Sequence, residues 1–179
     1  MTWPSRRAGA FILAALAGIG VGLLVLRRML ETKGGAAHVS ANKEIVRRLI
    51  DEVWTNRNLA AADELVARGY VGHDPTQPEP IRGPDGFKQF AAMYQAAFHD
   101  ATVTVDDQIA EGDLVVTRWT GRGTHSGELM GIAPTGKEVT VSGITISRLA
   151  DGKIAEEWEL MDALGMLVQL GAVPQPVTA

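Results

Sequence analysis

The chain has 179 residues, no cysteine, 46% hydrophobic residues and a formal net charge of −4. The missing cysteine excludes a disulfide framework, a zinc–thiolate site and a thiol nucleophile, while the apolar content is ample for a core. Residues 1–39 carry five Lys/Arg against one Asp/Glu, leaving 12 against 20 from Ser40 onward, and a domain with that net of −8 is a poor partner for nucleic acid.

Ala8–Leu26 is nineteen residues without a charge, bracketed by Arg6-Arg7 and Arg27-Arg28. A helix of that length nearly spans the hydrocarbon core of a bilayer, so residues 1–39 read as a single-pass plasma-membrane anchor followed by a tether. The rival is a cleaved signal with Val39-Ser40-Ala41 at its end. The distance from the apolar run to that site favours the uncleaved anchor. Basic residues flank both sides, so orientation is open.

From Ser40 the pattern becomes helical. Ile45, Leu49 and Val53 form one row and Val46, Ile50 and Trp54 the next, with Ser40 or Asn42 as N-cap. Asn56-Arg57-Asn58 breaks that helix, and a second is expected over Leu59–Ala67. Tyr70–Asp74 reads as a short strand or cavity edge. Three prolines between Pro75 and Pro80 enforce a loop. Gly83-Pro84-Asp85-Gly86 opens a third helix with Phe87, Phe90, Ala91, Tyr94 and Phe98 at helical spacing, a stripe that reads as core.

Strands follow at Ala101–Ile109, Leu114–His125, Glu138–Leu149 and Lys153–Met161. Asp151-Gly152 between the last two is a strong hairpin signal, because a type I′ turn needs two residues with positive φ. Three helices and then a meander predict an α+β domain over 40–173, with helices on one face of a curved antiparallel sheet, then a loose tail over 174–179.

Asp162 is the first candidate for chemistry. Counting even positions along the last strand puts it on one face with Ile154, Glu156, Trp158 and Leu160, and an apolar setting raises an acid toward general-base use. It also stands directly before the helical stretch Ala163–Leu170, where Asp is a preferred N-cap. His73 and His125 are candidate hydrogen-bond donors to an enolate; turn and strand-end roles compete. Trp158, Trp119, Arg118 and Tyr94 are candidate substrate-binding residues. Arg118 is either a cavity cation or a rim partner for an acid such as Glu128 or Glu156, and which face of the 114–125 strand points inward is open. No ligand cluster has metal-site spacing, no dinucleotide loop sits in a βαβ unit, and Gly-x-Ser-x-Gly is absent.

EGDLVVTRWTGRGTHSGELMGIAPTGKEV and SGITISRLADGKIAEEWELMDALGMLVQLG, together with His73-Asp74-Pro75 and Gly83–Phe90, resemble the SnoaL-like polyketide cyclases, also called ester cyclases. The resemblance spans roughly Asn42–Val173. It implies a nuclear-transport-factor-2-like cone enclosing one cavity, and ring closure by intramolecular aldol condensation without metal or organic cofactor. It also implies that Asp162 acts as acid/base on a small apolar carbonyl substrate, and that the outer sheet face pairs in a homodimer. Where some cyclases carry a histidine late in the strand Ile144–Arg148, this chain has Ser147 or Arg148. Two functions stand: a cofactor-independent cyclase, lyase or isomerase, or a non-catalytic ligand-binding or interaction module held at the membrane.

Overall fold

The computed structural model describes residues 35–174. The expected membrane segment Ala8–Leu26 and the tail from residue 175 lie outside the described residues. Among the described residues no helix is long and apolar enough to cross a membrane.

Helix α1 covers residues 35–49 and runs into a π-helical turn, Ile50–Thr55. Val46, Leu49, Ile50 and Val53 are buried, and Ile45 and Trp54 pack at the edge, so the two apolar rows form the expected stripe. Asn42 is not a cap. It lies inside the helix, buried, and its amide donates to Gly112 O at 3.2 Å. Arg57, at φ 61°, ends the segment and turns its guanidinium onto Gln95 O and Phe98 O, the last carbonyls of the third helix. A cation there satisfies carbonyls that a helix end leaves orphaned.

Helix α2 (Ala61–Leu65) is shorter than expected, because Val66 and Ala67 already belong to strand β1 (Val66–His73). Pairing with another strand overrides local helix propensity there. Short β2 (Ile81–Arg82) precedes α3 (Gly83–Ala97), whose Pro84 fits a first helical turn that needs no N–H donor. Phe87, Phe90 and Ala91 face the core, and Trp54 meets Phe87, Phe90 and Tyr94 edge-on with centroids 6.0–6.3 Å apart.

Strands β3 (Thr102–Glu111), β4 (Leu114–Thr124), β5 (Glu138–Ala150) and β6 (Lys153–Met161) form the expected meander. Asp151 and Gly152 both have positive φ, 51° and 72°, as the hairpin requires. The sheet order is β2-β1-β6-β5-β4-β3. It is mixed rather than wholly antiparallel, since β1 runs parallel to β6 with His73 opposite Trp158. Helix α4 (Ala163–Leu170) closes one end, burying Met166 and Leu170.

Two irregularities decide which side chains face inward. β3 shifts register against β4 between Val105 and Asp107, and β5 pairs Arg148 with Glu156 but Leu149 with Ile154, which leaves Ala155 as an extra residue in β6. Such bulges bend a strand and break its two-residue alternation. Ile154 is therefore buried, and after Ala155 the odd positions turn inward: Glu157 is buried while Leu160 is 69% exposed. In β4 and β5 the inner face is also odd, with Val115, Thr117, Val139, Thr145, Ser147 and Leu149 buried.

Candidate active site

The concave face of the sheet, the helices α1 and α3 and the start of α4 surround a cavity of about 140 Å³. Its walls are mainly apolar and aromatic: Trp54, Phe98, Trp119, Val141, Met161 and Met166 among them. Trp119 lies across Gly143, where no side chain keeps it off the sheet, and its Nε1 donates to Thr145 Oγ1 at 3.0 Å.

Two carboxyls reach this space, both from β6. Glu157 is held on both oxygens, by Ser147 Oγ at 2.7 Å and Tyr70 Oη at 3.0 Å. Burial pushes its carboxyl up, and those two hydrogen bonds oppose the rise. Burial, and then the charge of Glu157, push the Tyr70 phenol above its ordinary range. Glu159, two residues on, also lines the cavity. Burial first, then the neighbouring carboxylates of Asp74 and Glu157, push it up to about 8. A carboxyl at that value exchanges protons near neutral pH, which is what a general acid or base requires.

Asp74 is nine-tenths buried. Its Oδ1 accepts from the N–H and hydroxyl of Thr76, both at 2.6 Å, while Oδ2 has no partner among the described residues. The Tyr94 hydroxyl, on the cavity wall, is buried beside the Thr76 side chain, with no well-formed hydrogen bond among the described residues. Burial, and then the Asp74 charge, hold its proton on well above the usual phenol range. Tyr94 is thus a donor available to a ligand oxygen.

Of the residues singled out in the sequence, Trp119 and Tyr94 line the cavity. The others do not. Asp162 is exposed and accepts from Gly165 N at 2.8 Å as the N-cap of α4. Trp158 faces outward, stacked on His73 at 5.5 Å with the Arg148 guanidinium over its ring. His73 Nε2 and Arg148 both meet Glu156, at 2.9 and 2.6 Å. Arg118 also points outward, to Asp106 and Asp107. His125 is fully buried but lies behind Phe98, outside the cavity wall. Its Nδ1 lies 3.1 Å from Thr135 Oγ1 and 3.2 Å from the Thr135 backbone nitrogen. The bulge at Ala155 is the reason for the β6 corrections, since even positions beyond it lie on the convex face.

Glu157 and Glu159 went unnoticed in the sequence. The one signal there was three acids in four residues, Glu156, Glu157 and Glu159, inside a strand, where such residues are depleted. Among the described residues no group of three or more His, Cys, Asp or Glu is arranged to hold a metal ion.

A cone of helices on a curved mixed sheet, with an apolar cavity and carboxyls on its inner wall, defines the nuclear-transport-factor-2-like fold. The model of the SnoaL-like polyketide cyclases matches residues 44–170, and the chain belongs to that family. It is 28% identical over 138 residues to aklanonic acid methyl ester cyclase DnrD of Streptomyces peucetius, spanning 74% of this chain and 92% of the relative. A Jannaschia sp. CCS1 structure assigned to the SnoaL-like polyketide cyclases superposes with a TM-score of 0.69 at 28% identity, over 75% of this chain and 94% of that one. IdmH of Streptomyces antibioticus is 37% identical with a TM-score of 0.63, over 73% and 98% of the two chains.

Proposed function

We propose that this chain closes a ring in a small apolar carbonyl compound by acid–base chemistry drawn from its own side chains, with Glu159 as the proton-handling group. The observation that carries the reading is the Glu159 carboxyl, set in an apolar cavity and pushed up to about 8. As carboxylate it removes a proton from the carbon beside a carbonyl, and the Tyr94 hydroxyl donates to the resulting enolate oxygen. The enolate carbon attacks a second carbonyl of the same molecule. The proton held on Glu159 then passes to the new alkoxide, so product and substrate are isomers. Asp162 is left as a helix cap in this scheme.

Proton abstraction can be followed without the natural substrate, as deuterium uptake from D2O into the methylene of benzoylacetone, a one-ring β-diketone. Uptake above the buffer rate, rising with pH through about 8 as Glu159 ionises, is the expected result. A rate no faster than buffer at any pH overturns the reading.

Two further features belong to this proposal. Ala8–Leu26 supports a single-pass anchor that holds the domain at a membrane. The full-length protein then stays in the membrane pellet after a carbonate wash, and recovery of a soluble native product starting near Asn42 would falsify the anchor. On the convex face, Ile109, Val116, Ile146 and Trp158 lie opposite one another across four strands, with Ile144 and Leu160 beside them. Several of these are exposed, Ile109 by 72%, which supports a homodimer through this face. Light scattering on the chain from Val39 onward should give twice its mass, and half that for its Leu160→Asp variant. A wild-type monomer at tens of micromolar rules the pairing out.

A further inference from the structure

Glu159 does not stand alone on the inner wall, and the acid beside it has one oxygen that the fold leaves unused. We infer that Asp74 belongs to the acid–base machinery as a positioning residue: from the loop after β1 its carboxylate stands beside Glu159 and makes it a stronger base than the cavity alone would. The inference rests on Glu159 being the proton-handling group, as proposed above, and adds what regulates that group.

Strand register brings the two acids together. β1 runs parallel to β6, with Gly72 opposite Glu157 and His73 opposite Trp158. His73 and Trp158 stack on each other on the convex side. The residues that follow them are Asp74 and Glu159, and alternation turns both toward the inner face. Asp74 is accordingly buried, and Glu159 lines the cavity. Only half of the Asp74 carboxyl is needed to hold its loop. Oδ1 takes both bonds from Thr76, which pin the start of the proline-rich segment, and a turn of this kind asks for one acceptor. Oδ2 is buried and receives no hydrogen bond among the described residues. Burying that oxygen is costly, and the turn does not account for it.

No cation offsets this charge. The bases on the adjoining strands, His73 and Arg148, are both taken by Glu156. Glu159 is faced by Asp74 from the β1 loop, by the Tyr94 phenol from α3, by Glu157 on its own strand, and from β5 by Thr145, which does not titrate. Tyr94 keeps its proton. Glu157 has both oxygens occupied, and burial favours its neutral form. Asp74 is what remains, and after burial it is the largest influence on the Glu159 carboxyl. A like charge close by disfavours ionisation, so Glu159 holds a proton taken from carbon more firmly.

Asp74→Asn tests this, because asparagine keeps an oxygen for Thr76 and loses the charge. Two readouts are taken on the full-length chain. One is the pH profile of deuterium uptake into benzoylacetone, and the other is the titration of the Glu159 carboxyl carbon by carbon-13 NMR, assigned by its loss in Glu159→Gln. In the wild type both should turn near pH 8. In Asp74→Asn both midpoints should fall by roughly one pH unit. The variant should then exchange faster than wild type below about pH 7, where more of its Glu159 is ionised, and more slowly above about pH 9, where a weaker base acts. A residue that only pins the loop would leave both midpoints unmoved, and that result overturns the inference. Asp74→Ser, which also offers Thr76 an uncharged oxygen, is read in the same way if the asparagine variant does not fold. The wild type supplies a check that needs no variant of Asp74. Its Asp74 carboxyl carbon should shift as Glu159 ionises near pH 8, and a resonance that ignores that ionisation overturns the pairing. Wild type without deuterium uptake, but with a Glu159 midpoint that falls in Asp74→Asn, removes the reaction and leaves the pairing standing. Normal uptake with unmoved midpoints does the reverse.

Discussion

Glu159→Gln should reduce proton abstraction by about 10²–10⁴-fold while changing ligand binding little. Glutamine nearly matches the shape of glutamate and still fills the wall of the cavity, but its amide cannot accept a proton from carbon. Asp162→Asn is the matched control. Asp162 is exposed and its visible task is to accept from Gly165 N, which asparagine also does as an N-cap, so that variant should keep the wild-type rate. The opposite pattern, with Asp162→Asn dead and Glu159→Gln active, would return the catalytic role to Asp162.

The same variant should change how stability depends on pH. Glu159 keeps its proton to about 8 when folded, against an ordinary value of 4.5. Across that window the folded chain binds more protons than the unfolded chain. Its stability is therefore highest below about 4.5, as far as this group is concerned, and falls as pH rises through 8. Glutamine removes that loss. Above pH 8 the variant should be more stable than wild type, by up to about 5 kcal/mol, and near pH 4.5 the two should be close. Urea titrations at both pH values read the difference directly. A gap that does not grow with pH means the carboxyl is better solvated than its surroundings imply.

Gly143→Ala is expected to damage both fold and site. A Cβ there would lie 2.7 and 2.9 Å from the Trp119 Cε2 and Cη2 atoms, closer than carbon atoms approach. The clash is with a ring rather than a flexible chain end, so the indole has to lift off β5. Lifting breaks the Nε1–Thr145 hydrogen bond and drives the ring into the cavity. Overpacking of this kind costs about 1–3 kcal/mol. Thermal melting should fall by several degrees, and benzoylacetone should no longer bind. An unchanged melting curve with intact binding would mean that Trp119 does not rest on this glycine.

Much of the architecture was legible because it depends on local chemistry. The rows Ile45–Leu49–Val53 and Val46–Ile50–Trp54 read as one helix face, and that face is buried. Asp151-Gly152 read as a tight hairpin turn, and both residues have positive φ. The aromatic stripe from Phe87 to Phe98 read as core, and Phe87, Phe90 and Phe98 are buried. Where expectation and structure part, a distant pairing decided the outcome. Val66 and Ala67 were drawn from a helix into β1 by β6, nearly ninety residues along the chain, and in a parallel sense that no local signal announces.

The site shows the division most clearly. From the sequence alone came the family resemblance, the meander, the acidic balance of the domain, and Trp119 and Tyr94 as ligand-facing candidates. Strand alternation is a reliable rule only while pairing is unbroken, and one extra residue moves every later side chain to the opposite face. Ala155 is that residue. It carries Trp158, Leu160 and their face to the convex side and brings Glu157 and Glu159 inward. A bulge is a property of two strands together, set by how β5 and β6 pair. Which acid meets the cavity was therefore left to the tertiary structure, and so was the raised proton affinity of Glu159, which comes from burial and from Asp74 on a separate strand–loop junction.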